Sequence, residues 1–293
     1  MRTYDIVHCD VFSSKPGSGN PLAVVLDAQG LETEQMQAIA HWLNLAETTF
    51  VLPATAPDAD YRVRIFTTRK EIAFAGHPSI GTAHALLDSG LLPREPGLLR
   101  QECKAGILPL KLRPELQNNA IAVRVPSARI VRYATSADSG LIAALPEDCW
   151  GQLKPALVEG GRRWWLAEMH NENAVRQFQP DSAAIARLAA ETDSLGLCIF
   201  APAVHGHYRM AVRAFPLGVG ISEDPASGAA NAAITAFLAE AGELERYGQR
   251  YTVSQGREIG HDALLSLECD GAGDIWVGGD SHTIIHGRLA WQG

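Results

Sequence analysis

The stretch Val63-Arg64-Ile65-Phe66 leads through a polar turn into His77-Pro78-Ser79-Ile80-Gly81-Thr82-Ala83. The same order returns as Val212-Arg213-Ala214-Phe215 and then Asp224-Pro225-Ala226-Ser227-Gly228-Ala229-Ala230. The two Pro-containing segments stand 147 residues apart (77 to 224). Phe50 and Phe200, in matching apolar runs upstream, stand 150 apart. Each copy reads as a strand, a polar Gly-containing turn, and a helix of small residues opened by Pro. A period near half the chain predicts two similar domains, because solenoid repeats run about 20–50 residues. The expected division is 1–118 and 119–293, with a last strand, about 280–293, that could complete the first domain.

Outward from that repeat, Tyr4 to Phe12 and Leu22 to Leu26 read as strands. Glu32 to Leu43 places Met36, Ile39, Ala40 and Leu43 on one helical face. Thr48 to Leu52 and Tyr61 to Phe66 read as strands joined by a turn. Pro78 opens a helix to about Asp88, and Gly90 stops it. Short, hairpin-spaced strands of mixed character predict an α+β fold, not a doubly wound parallel sheet.

Composition narrows the function. The chain has 293 residues, 46% hydrophobic and 20% charged, which excludes a disordered protein. The net charge of −8 argues against a nucleic-acid or anionic-membrane partner. Asp5 and Asp10 interrupt the N-terminal stretch, so it does not read as a secretory signal. No run approaches the ~18 apolar residues of a membrane span. The five scattered cysteines form no C-x-x-C and read as reduced thiols of a cytoplasmic protein. No G-x-G-x-x-G or P-loop motif is present, so nucleotide cofactors lose their best support. His205 with His207, and His282 with His286 in a β-like run, do not make a metal site. Trp164-Trp165 beside Arg162-Arg163 reads as a packed strand.

Two helix starts and one carboxylate carry the chemistry. Pro at the first helical position sacrifices no hydrogen bond, and the other first-turn N–H groups favour an anion. Gly76, Ser79 and Gly81 at one start, and Ala226, Ser227 and Gly228 at the other, let a ligand approach the backbone. If the halves are related by a pseudo-twofold axis, both starts can face one cleft suited to a small carboxylate. Asp224 reads either as an N-cap or as a ligand group. His77 caps poorly and stands in a Gly-flanked loop, which points to a ligand or a proton. Glu47, between a helix end and an apolar strand, reads either as a solvated charge or as a general acid/base of raised pKa. Its counterpart near Leu197 is apolar, so one residue would both remove and return the proton.

At these residues the sequence resembles the PhzF family, the phenazine-biosynthesis-like proteins of the diaminopimelate-epimerase fold. The matching stretches are Gly19-Asn20-Pro21-Leu22-Ala23-Val24-Val25, Ala46-Glu47-Thr48-Thr49-Phe50-Val51, Val63 to Thr67, Phe74-Ala75-Gly76-His77-Pro78, Glu223 to Gly228 and Gln255-Gly256-Arg257-Glu258. The resemblance implies two pseudo-symmetric domains, each a mostly antiparallel sheet wrapped around a central helix. It also implies a cofactor-independent isomerase or epimerase, usually a homodimer, acting on a small amino or hydroxy carboxylate. Glu47 matches the proton-shuttling glutamate, and His77 and Asp224 match the pair that orients the substrate. Gly76 with His77, and Gly228 with Ala229, match the backbone donors to carboxylate oxygens. Asn20 and Ser227 complete the expected substrate contacts. Three departures stand out: Ala46 and Ala229 replace serines common in the family, and Gly260-His261-Asp262-Ala263 replaces Gly-Arg-Pro-Ser. They argue against turnover of the phenazine precursor and leave proton transfer on a related acid. The alternative is a binding or scaffold protein of the same fold without turnover. No cysteine falls at either helix start, which disfavours the two-thiol mechanism of racemases with this fold.

Overall fold

The computed structural model describes residues 2–113, 120–204 and 206–292. The expected boundary at 118–119, and His205, lie outside the described residues. By contacts the chain divides into two units, residues 1–124 with 278–293, and residues 125–277.

The first unit runs β1 (Arg2–Val11), β2 (Asn20–Val25), α1 (Thr33–Leu43), β3 (Thr48–Leu52), β4 (Tyr61–Phe66), β5 (Glu71–Ile72), α2 (Gly76–Asp88), β6 (Leu98–Cys103), β7 (Gly106–Arg113) and β8 (Ala120–Arg124). The strands pair antiparallel β1–β2, parallel β2–β3, antiparallel β3–β4, parallel β4–β6 and antiparallel β6–β7–β8. Parallel steps occur where a helix or long connection intervenes, as a crossover requires.

The second unit repeats the scheme. It runs β9 (Arg129–Tyr133), α3 (Ser139–Ala144), β10 (Ala156–Glu159), β11 (Arg163–Glu168), α4 (Glu172–Gln177), α5 (Ser182–Thr192), β12 (Leu197–Pro202), β13 (Met210–Phe215), α6 (Gly228–Glu240), β14 (Arg250–Gln255), β15 (Ala263–Cys269) and the first part of β16 (Ile275–Gly279), whose last two residues belong to the first unit. The pairing is antiparallel β10–β11, parallel β11–β12, antiparallel β12–β13, parallel β13–β14 and antiparallel β14–β15. That order of directions is the order of the first unit. β17 (Ser281–Trp291) returns to the first unit and pairs antiparallel with β1. The matching outer strand of the second unit is β9, paired with β10.

Each sheet wraps one central helix of 13 residues. α2 is buried from Gly76 through Ala83 and packs on β1, β2, β3, β8 and β17. α6 is buried at ten positions and packs on β9, β10, β11 and β15. A helix apolar or small on all sides has no solvent face to offer. Small residues bring α2 close to the sheet: a Cβ on Gly81 would stand 2.6 Å from Leu22 Cδ2 and 2.7 Å from Val11 Cγ2.

The outer sheet faces carry the amphipathic helices. Met36, Ile39 and Ala40 of α1 join Phe50 and Phe66 in one apolar cluster, with those two rings edge to face at 5.4 Å. Glu32 starts α1 through a reciprocal capping box with Gln35, and Asn44 stops it in the left-handed region at φ 54°. Ile185 and Leu188 of α5 join Trp165 and Phe215 likewise. Each such fully buried side chain contributes about 1.5–3 kcal/mol, and Phe66→Ala would cost about 3–5 kcal/mol.

Two expectations about the helix starts need correction. α2 begins at Gly76, so Pro78 is its third residue and His77 lies inside the first turn. α6 begins at Gly228 with Ser227 as N-cap, so Pro225 precedes the helix and Asp224 is not its cap. The starts are therefore 152 residues apart (76 to 228), and in this register Ala229, not Asp224, corresponds to His77. The strands before them are 149 apart (61 to 210). A longer loop, containing a short 3-10 turn at Leu217–Val219, supplies the extra residues.

Candidate active site

In the first unit, Glu47 closes the connection between α1 and β3. The strand that follows is buried from its first residue, with Thr48, Thr49 and Phe50 fully covered, which anchors Glu47 at the edge of the core. His77 reaches it from the first turn of α2, with Nε2 3.5 Å from Glu47 Oε2. The His77 side chain is 7% exposed and that of Glu47 18%. Burial lowers the His77 pKa to about 3, so the ring is neutral near pH 7 and the contact is not an ion pair. His77 Nε2 has no hydrogen-bond partner. A buried polar nitrogen left this way points to a missing partner.

The backbone there is open too. Ala75 occupies the N-cap of α2 and offers no capping side chain. The Gly76 and His77 N–H groups have no acceptor within the helix. Ser79 Oγ instead bonds back to Ala75 O at 2.9 Å and accepts from Gln101 Nε2 at 2.9 Å. Tyr61 donates to Gln101 Oε1 at 3.1 Å, and Thr82 to Thr49 Oγ1 at 2.8 Å. This buried network ties the first two turns of α2 to β3, β4 and β6.

Asn20 opens β2 and is buried. Its loop is organised by Asp10, a residue sequence reasoning missed. The Asp10 carboxylate accepts from Ser13 Oγ at 2.7 Å, Gly17 N at 2.8 Å and Gly19 N at 3.1 Å. Gly19 is needed there because a Cβ would collide with the Val11 carbonyl oxygen. The Gly-rich segment between two strands was the available signal.

In the second unit, Ser227 Oγ accepts from Ala230 N at 3.3 Å, and Ser227 N donates to Gln255 Oε1 at 3.2 Å. Gly228 and Ala229 are the first two helical residues, and their N–H groups have no acceptor in the helix. Gly228 is buried and Ala229 exposed. Asp224 Oδ1 accepts from Ala226 N at 3.2 Å, a local turn. Gln255, also missed as a site residue, is the hub. Its Oε1 accepts from Asn231 Nδ2 and its Nε2 donates to Asp224 O, both at 2.8 Å.

Each unit thus presents a helix start whose leading amides stay open to an anion, and the first also holds a carboxylate beside a neutral imidazole. The described residues contain no cluster of His, Cys, Asp and Glu able to hold a metal. Burial raises the thiol pKa of Cys9 to about 12 and also raises that of Cys198, so both stay protonated. No helix among the described residues is long and apolar enough to cross a membrane.

This architecture, a repeated mostly antiparallel sheet around a central helix, defines an epimerase-like fold. A protein described as a probable proline racemase from Agrobacterium radiobacter shares it with TM-score 0.67 at 14% identity, covering 99% of this chain and 93% of that one. The PhzF-family phenazine biosynthesis protein of Bacillus anthracis superposes with TM-score 0.86 at 27% identity, over 99% of this chain and 100% of that one. The family model for phenazine biosynthesis-like proteins (PhzC/PhzF) matches residues 9–287. The chain belongs to that family. At the level the family defines, it is an isomerase.

Among curated relatives, trans-2,3-dihydro-3-hydroxyanthranilate isomerase of Pseudomonas aeruginosa is 33% identical over 294 residues, covering 98% of this chain and 99% of the relative. Antisense-enhancing sequence 1 of Schizosaccharomyces pombe is 31% identical over 296 residues, again covering 98% and 99%.

Proposed function

We propose that the protein isomerises a small amino or hydroxy carboxylate by moving one proton between carbons of the same molecule, with Glu47 as the proton carrier. The observation that carries this reading is the Glu47–His77 contact at 3.5 Å, with the ring held neutral, beside uncapped helix amides.

In this reading the ionised Glu47 takes a proton from a carbon beside the carboxylate or along a conjugated system. The electron pair left behind spreads onto oxygen. The N–H groups of Gly76 and His77 receive that charge as an oxyanion hole does. A neutral imidazole serves better here than a cation, because it can orient an amino or hydroxyl group without neutralising the base. Protonated Glu47 then returns the proton to another carbon. One proton leaves and one arrives, so the step consumes no oxidant. Asn20, Asp224 and Ser227 hold the substrate. A homodimeric state is also part of the proposal, which sedimentation would test by returning a monomer mass if it is wrong.

Ala46 and Ala229 favour a second reading, a binding protein without turnover. Incubation with trans-2,3-dihydro-3-hydroxyanthranilate and a panel of 2-amino and 2-hydroxy acids in D₂O, followed by NMR, separates the two. Deuterium incorporation that disappears in Glu47→Gln supports the first reading. Binding without incorporation across the panel supports the second.

A further inference from the structure

The strand-to-helix loop of each unit is held by the same device. In the first, Arg64 Nε donates to Glu71 Oε1 at 2.8 Å and Nη2 to Oε2 at 2.9 Å. In the second, Arg213 Nε donates to Glu223 Oε1 at 2.9 Å and Nη2 to Oε2 at 2.8 Å. Each guanidinium lies over the aromatic ring two residues on, Phe66 at 5.1 Å and Phe215 at 5.0 Å.

The spacings carry the argument. Arginine and glutamate are 7 residues apart in the first unit and 10 in the second. Glutamate and helix start are five apart in both, Glu71 to Gly76 and Glu223 to Gly228. All the extra length of the second loop therefore lies between the paired residues, and none lies between the pair and the helix. A pair serving only general stability has no reason to keep that distance. A planar guanidinium fork fixes both position and plane of the carboxylate it grips.

We infer that Arg64–Glu71 and Arg213–Glu223 are twin positioning clamps that orient the two helix starts, and so aim the amides of Gly76 and His77 and of Gly228 and Ala229. The link to catalysis rests on the proton-transfer reading above. The clamps differ in their surroundings. Arg64 also reaches Thr33 Oγ1 at 3.0 Å, and Glu71 takes Lys104 Nζ at 2.6 Å. The second pair is more buried, its side chains 6% and 7% exposed, against 24% and 9% in the first. Arg213 also donates to Phe178 O at 2.6 Å and Val175 O at 3.3 Å, and stands 3.9 Å from Glu258.

The test uses Arg64→Lys and Arg213→Lys, which keep the charge and lose the fork. ¹⁵N relaxation reads the order at the four amides. Arg64→Lys should lower the order parameters of Gly76 and His77 from about 0.85 towards 0.6 and leave Gly228 and Ala229 unchanged. Arg213→Lys should do the reverse. For any acid that incorporates deuterium with wild type, the rate should fall about 10–100-fold with a smaller change in KM, as misplacement of catalytic groups does. Unchanged amides in both variants would overturn the clamps, as would rates within twofold of wild type. If no acid exchanges with wild type, the proton-transfer reading fails, and the order parameters still decide the clamps. Should Arg213→Lys not fold, the less buried Arg64 pair decides alone.

Discussion

Glu47 Oε2 and His77 Nε2 stand 3.5 Å apart, and the ring is one that burial keeps uncharged. His77 therefore meets the carboxylate as a neutral dipole and not as a cation. The distance exceeds a good hydrogen bond.

Glu47→Gln keeps size and removes the proton acceptor. Deuterium incorporation into the substrate should fall by about 10²–10⁴-fold, while the thermal midpoint stays within a few degrees. Incorporation at the wild-type rate would remove Glu47 from the mechanism.

His77 makes stability depend on pH. Its folded pKa is about 3, against about 6.5 when unfolded. Between those values the unfolded chain binds a proton that the folded protein refuses. Stability is full above about 6.5 and declines as pH falls towards 3. Burial of His8 and His84 acts in the same direction. The urea midpoint should be lower at pH 5 than at pH 7.5, and His77→Asn should lose less between the two. Identical losses would assign the slope to other groups.

Gly19→Ala tests the loop before Asn20. The new methyl meets the Val11 carbonyl oxygen, and relief would pull Gly19 N away from Asp10. A destabilisation of about 1–3 kcal/mol is expected from overpacking, measured by urea unfolding. A neutral result would mean that the loop can shift freely.

Gln255→Leu leaves the Ser227 N–H and the Asp224 carbonyl without the amide that now pairs them. Each buried orphan costs about 1–3 kcal/mol. Affinity for an exchanging acid should weaken beyond any loss of stability, because the start of α6 loses its anchor. Full retention of affinity in a folded variant would separate Gln255 from the site.

Local signals were legible where one principle acted alone. Thr48–Leu52 and Tyr61–Phe66 could be bounded from β-branched and aromatic content, and Met36, Ile39 and Ala40 from periodicity. The helix starts were misjudged because Pro78 and Pro225 look alike in sequence. Pro78 sits in a first turn, where no hydrogen bond is lost, whereas Pro225 belongs to a turn closed by Asp224. Glu47 and His77 stood out as odd residues among apolar or small neighbours. Asp10 and Gln255 did not, because their partners are backbone groups brought near only by folding. The twin clamps were hidden for another reason. The repeated Arg was visible within a four-residue match, but its Glu partner falls at a different distance in each copy.

The pairing of β17 with β1 carries a consequence for biosynthesis. β1 emerges from the ribosome long before β17, one of its two neighbours, which is made some 270 residues later (11 to 281). β1 must wait through translation of the whole second unit with one hydrogen-bonding edge unsatisfied. Release of a nascent chain before Ser281 would strand that edge, and such an intermediate should be a preferred client of chaperones that shield exposed strands.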